Sequence, residues 1–192
     1  MINHRLKSLY THIPKCGGNS IVQILKKYPP YERIGHKQLR RVIKKYGGSD
    51  YYKFTFTRNP WDRLVSAYHY LRAGGMKNPS DKRSAKILQQ YDGFDDFVKK
   101  YDINETKICH FLPMTYYTGR RTDDYDYIGK VENLQQDFDF VCDKIGIPQQ
   151  QLPHVNKTKH KHYTEYYDDE TKSIVAKKYA KDIEYFGYEF GK

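Results

Sequence analysis

Three times along the chain a short β-branched or aromatic run breaks at a loop and resumes as an amphipathic helical pattern. LKSLYTHI (residues 6–13) reads as a strand that ends at Pro14; after a glycine loop, Ile21, Ile24, Leu25 and Tyr28 recur at helical spacing until Pro29 and Pro30 stop them. KFTFT (53–57) is followed by RNP and then by a stripe of Trp61, Leu64, Val65, Tyr68 and Leu71, with Asn59 placed to cap the helix and Pro60 suited to its first position. DYIGKV (126–131) precedes a helix expected over about 134–145, which Gly146 ends. Strands that alternate with helices predict an α/β fold with a short parallel sheet flanked by helices. Right-handed crossovers then bring all three strand-to-helix loops to one edge of the sheet, the edge where ligands bind in such folds.

The rest of the chain fills in around these units. Residues 35–46 read as helical, 74–83 (GGMKNPSDKR) as a polar mobile loop, and 84–101 as mostly helix. Asp168, Asp169 and Glu170 head a last helix that runs to about Tyr179. A length of 192 residues predicts one domain over 1–192, and 20 Tyr with 9 Phe supply a core despite a 30% charged fraction.

A formal charge of +11 points to an anionic partner: nucleic acid, acidic polysaccharide, phosphorylated small molecule or membrane surface. Cys16, Cys109 and Cys142 are odd in number and contain no CxxC pair, which argues against a disulfide framework or zinc knuckle and fits a reducing compartment. No segment approaches the roughly 18 apolar residues of a membrane span, and the first residues have no secretory apolar run. A soluble, cytoplasmic protein is expected.

HIPKCGGNS (12–20) joins the first strand to the first helix, where free backbone N–H groups and the helix dipole attract an anion. Gly17 and Gly18 let the backbone approach a phosphate, and Ser20 adds a hydroxyl; a simple glycine turn is the alternative. A Walker A loop is excluded, because no glycine pair is followed by Lys-Ser or Lys-Thr. A thiol phosphatase would need an arginine where Val22 stands, so Cys16 reads as a small loop residue. In the second loop Arg58 can make a forked contact with a phosphate that Ser66, set off the apolar stripe, completes; an Arg58–Asp62 surface ion pair is the competing reading.

PKCGGNS (14–20) and RNPWDRLVSAY (58–68) together resemble the sulfotransferase superfamily, which uses 3′-phosphoadenosine 5′-phosphosulfate (PAPS), and in particular its carbohydrate branch and related bacterial proteins. Gly35-His36 is similar to the Gly-His of the heparan sulfate 2-O-sulfotransferases, and the likeness extends through DYIGKVENLQQDF, HVNKTKH and DIEYFGYEF over nearly the whole chain. The resemblance implies a P-loop-like sulfotransferase fold and transfer of a sulfuryl group to a hydroxyl, leaving adenosine 3′,5′-bisphosphate (PAP) as product, with no metal. It implies that Lys15, Cys16, Gly17, Gly18, Asn19 and Ser20 hold the 5′-phosphosulfate, that Arg58 and Ser66 hold the 3′-phosphate, and that Lys157 and Thr158 add donor contacts.

Within that pattern Lys15 steadies the departing phosphate oxygen and His36 is the base that takes the hydroxyl proton. A saccharide acceptor is expected, with no nucleic-acid partner and no membrane span. Two rival readings stay open: a basic nucleic-acid-binding module, and a catalytically silent nucleotide binder of the same fold. Glu132 reads equally as an orienting residue and as a structural acceptor. His154, His160 and His162 follow no known zinc spacing.

Overall fold

Strand and helix alternate as the periodicity demands. A computed structural model describes residues 1–102, 107–119, 122–153 and 161–192. The chain divides into two units, Met1–Arg58 with Met114–Asn156, and Asn59–Pro113 with Lys157–Lys192.

The first unit holds a five-stranded sheet: β1 (Ile2–Asn3), β2 (Ser8–Thr11), β3 (Tyr31–Glu32), β4 (Tyr52–Thr57) and β5 (Tyr127–Lys130), in the order β3-β1-β2-β4-β5. The three strands legible in the sequence, β2, β4 and β5, are mutually parallel. Two short strands that the sequence did not announce, β1 and β3, pair antiparallel beside β2. The register sets Thr11 opposite Thr55 and Thr57 opposite Lys130, so β4 runs on beyond the end of β2.

Side-chain alternation assigns the helices to faces. Tyr10 lies opposite Phe54 and their rings stack at 5.2 Å, an arrangement worth about 0.5–1.5 kcal/mol beyond the area it buries. Helix α1 (Gly18–Leu25) approaches that face, because a Cβ on Gly18 would touch the Tyr10 hydroxyl. On the same face Gly129 makes room for the Phe56 ring and for Asp137 of α7 (Leu134–Ile145), which ends at Gly146 with φ 72°. On the opposite face Ile2 and Leu9 form a cluster with Leu39 and Val42 of α2 (Leu39–Tyr46). The sheet is thus covered on both sides, as parallel strands require.

The second unit is helical: α3 (Pro60–Arg72), α4 (Pro79–Leu88), α5 (Phe94–Lys100), α8 (Asp169–Lys178) and α9 (Ala180–Phe186). Asn59 caps α3 by accepting from the Trp61 amide, Pro60 opens the helix, and the stripe Trp61, Leu64, Val65, Tyr68 and Leu71 is buried among Phe94, Phe97, Phe111 and Tyr179. Asp168 caps α8 through Thr171, while α9 continues past the expected end at Tyr179.

The expected loop over 74–83 is half helix. Pro79 opens α4, and Asp81 accepts from the Met76 amide, the Asn78 side chain and the Tyr70 hydroxyl, so this carboxylate fixes the turn. Local capping decides that stretch, where polarity alone suggested a loop. The helix expected over 35–46 begins only at Leu39.

Candidate active site

The loop after β2 takes its shape from two residues in the left-handed region, Lys15 at φ 66° and Gly17 at φ 69°. Glycine adopts that conformation freely, whereas a side-chain-bearing residue pays about 1–2 kcal/mol. Lys15 is held there by its surroundings: the Arg58 guanidinium donates to its carbonyl at 3.3 Å, and the Cys16 amide reaches back to Ile13 at 3.4 Å. Gly17 is the N-cap of α1, so the first-turn N–H groups of Gly18 and Asn19 head the helix where an anion is favoured, while the Ser20 amide donates back to the Gly17 carbonyl at 3.2 Å.

Cys16 turns inward. Its thiol is fully buried, 3.8 Å from the Pro14 carbonyl and 3.9 Å from the Met114 thioether, so this residue offers the loop its main chain only. The Ser20 hydroxyl donates to the Pro153 carbonyl at 2.6 Å; contact with a phosphate through that proton requires the bond to be exchanged.

His36 lies at a bend between Gly35 (φ 64°) and the start of α2 and is exposed. Its Nδ1 lies 2.8 Å from the main-chain carbonyl of His12, and its ring meets the His12 ring at 4.4 Å and 64°. A carbonyl only accepts, so Nδ1 carries the proton and Nε2 is the basic nitrogen. His12 in turn lies against the glycine loop: a Cβ on Gly18 would fall 2.1 Å from its Nε2. One residue unread in the sequence therefore connects His36 to the loop.

Arg58 follows β4 in the same unit, with its amide 3.5 Å from the Met114 sulfur and its guanidinium on Lys15. Lys15, Arg58 and His36, scattered along the sequence, are thus gathered in the first unit. Ser66 lies in the second unit, buried on α3. Lys157, Thr158, His154 and His160 fall outside the described residues. Glu132 is exposed in the turn after β5, and His162 caps a short turn at Tyr163–Tyr166.

Among the described residues no group of three or more His, Cys, Asp or Glu could hold a metal ion. No helix among them is long and apolar enough to cross a membrane. Burial pushes the Cys142 thiol up to about 11, aided by Asp139 and Asp143, and likewise raises that of Cys109, with Asp81 adding to it. Neither is an activated nucleophile.

Sequence reading missed Arg63. It is 1% exposed, donates through its two terminal nitrogens to the carbonyls of His110 (3.3 Å) and Leu112 (2.6 Å), and lies over the Tyr179 ring. An arginine five residues into a motif otherwise read for anions gave no hint that it serves the fold.

A glycine loop at a helix start that contains Lys15, with Arg58 on the Lys15 carbonyl and His36 reaching back to His12, makes up the candidate site. The chain belongs to the sulfotransferase family, whose match runs over residues 1–189. It is similar to carbohydrate sulfotransferase 14 of Mus musculus and of Homo sapiens, 23% identical in each case over 184 residues that make up 81% of this chain and 47% of the relative. The Danio rerio carbohydrate sulfotransferase 14 is 28% identical over 115 residues, 52% of this chain and 31% of its own. An uncharacterized protein of Archaeoglobus fulgidus is 33% identical over 100 residues, 52% of this chain and 72% of that protein. The chain spans at most about half the length of the carbohydrate sulfotransferases it matches. No solved structure matches it.

Proposed function

We propose that this protein transfers a sulfuryl group from PAPS to a hydroxyl of a carbohydrate. The residues present suit that donor: a loop with two left-handed positions at a helix start, a lysine at its mouth, and an arginine on the next strand end. The nucleotide supplies a sulfuryl group already bonded to a good leaving phosphate. The main chain of Cys16, Gly17, Gly18 and Asn19, with Ser20, holds its 5′-phosphosulfate; Arg58 and Ser66 hold the 3′-phosphate; Lys157 and Thr158 add contacts. Lys15 sets a positive charge where the leaving phosphate oxygen gains negative charge.

His36 takes the proton of the attacking hydroxyl on Nε2. The observation that carries this reading is the bond from His36 Nδ1 to the His12 carbonyl, with His12 against Gly18: it fixes the basic tautomer next to the loop. No metal is required for the charge development, since the lysine and loop amides meet it.

Calorimetry with PAP and with AMP, followed by radiolabelled sulfate transfer, tests the assignment. Binding of PAP in preference to AMP, with transfer lost in Lys15→Ala and in His36→Ala while both variants stay folded, is the expected result. Equal affinity for the two nucleotides, or binding only to oligonucleotides in a steeply salt-dependent way, would reject it.

A further inference from the structure

The short helix α6 (Met114–Thr118) contains a residue to which no role has been given. Met114, Tyr117 and Thr118 stand at i, i+3 and i+4 and are buried at 0, 1 and 2% exposure, so one face of the helix is anchored. Met114 places that anchor on the site itself, since its sulfur touches both Cys16 and the Arg58 amide. Tyr116 lies on the other face and is 40% exposed.

Tyr116 is also tied to the segment that bears the base. Gln38, two residues after His36, donates through its side-chain amide to the Tyr116 carbonyl at 2.9 Å. The ring of Tyr117 meets that of Tyr116 at 85° and can cover one of its faces at most. Among the described residues the other exposed large apolar side chain of this unit, Phe140, is accounted for: its ring lies against Tyr127 at 4.7 Å, and Lys144 sits over it at 5.1 Å.

We propose that Tyr116 is the platform on which a pyranose ring of the acceptor stacks, orienting the acceptor hydroxyl toward His36; this rests on the sulfotransferase reading above. A tyrosine suits the role physically. It is rigid, presents a flat apolar face to the C–H face of a sugar, and keeps a hydroxyl for the wet rim. Its tie runs to the His36 segment, which favours the acceptor over the adenine of the donor as the group it meets.

The test compares wild type with Tyr116→Ala, Tyr116→Phe and Tyr116→Trp. Sulfate transfer from PAPS is measured to methyl pyranosides and unsulfated pyranose oligosaccharides, together with calorimetric binding of PAP. The alanine variant is expected to raise the KM for the sugar about tenfold with a smaller change in kcat, while the two aromatic variants stay within about threefold of wild type and all bind PAP alike. An unchanged KM in Tyr116→Ala, or a loss of PAP affinity with KM unaltered, overturns the platform and leaves the sulfotransferase reading standing. Wild type that binds no PAP, or sulfates no sugar, defeats the proposed function and the platform with it.

Discussion

His36 donates from Nδ1 to the main-chain carbonyl of His12 at 2.8 Å, and because the acceptor is backbone, no substitution of the His12 side chain removes it. The proton that would otherwise occupy either ring nitrogen is committed to one side, and Nε2 is the nitrogen that can accept another. Replacing His36 by Ala should lower kcat for sulfate transfer by about 100- to 10,000-fold, the usual worth of a positioned base. PAP affinity should change little, which calorimetry checks; a variant retaining wild-type kcat would remove His36 from the chemistry.

Gly18→Ala tests the link between the loop and the base. The new methyl would clash with the His12 ring and stand 2.8 Å from the Tyr10 hydroxyl, so the His12 ring, which meets the His36 ring at 4.4 Å, must shift. Overpacking of this kind costs about 1–3 kcal/mol, read as a drop of several degrees in Tm. Transfer should fall further than stability does, and preserved activity in a destabilised variant would show that the His12 ring does not position the base.

Arg63 is expected to behave as part of the fold. Arg63→Met leaves the carbonyls of His110 and Leu112 without their donor and should cost about 2–4 kcal/mol in a denaturant or thermal melt. Arg63→Lys should recover only part of that, because an ammonium lacks the fork that reaches two carbonyls together. Equal melting of Arg63→Met and wild type would contradict the assignment.

Alkali should unfold the protein through its tyrosines. Burial is the first cause that pushes Tyr70, Tyr101 and Tyr127 up to about 12, with Asp81 adding to it at Tyr70 and Asp137 at Tyr127, and burial likewise raises Tyr10 and Tyr167 well above the usual phenol range. The folded state therefore keeps phenol protons that the unfolded chain gives up from about pH 10. That stabilisation is complete below pH 10 and is lost as the pH climbs toward the folded values. Circular dichroism and tyrosinate absorbance recorded together should show ionisation of these rings and loss of structure in one transition; full ionisation with the fold intact would refute it.

Periodicity carried much of this architecture. The parallel strands, the Asn59-Pro60 start of α3, the Gly146 stop of α7 and the Asp168 cap of α8 were all readable, because each rests on a local rule of spacing or capping. β1 and β3 were not, since two-residue strands have no period to detect and exist only through their pairing. At the candidate site, Lys15, His36 and Arg58 could be named from motif and resemblance, while the contacts of His12 and Met114 could not. Their significance lies in what they touch across the chain, as with Met114 between Cys16 and Arg58. Ser66 stands off the apolar stripe yet is 3% exposed, because a helical wheel does not show what surrounds the far side of a helix.

The register of the sheet has a consequence for what can lodge on its edge. β4 continues from the partner of Thr11 to Thr57, two residues higher, or about 6–7 Å at the rise of a strand. The glycine loop and Arg58 are therefore set like two treads of a staircase, joined where the guanidinium leans down to the Lys15 carbonyl and where the Met114 sulfur lies between Cys16 and the Arg58 amide. A small monovalent anion can stand on one tread. A molecule with charged groups at both ends of its frame can close a chelate across the step, so stripping it of either group costs more than the contacts of that group alone.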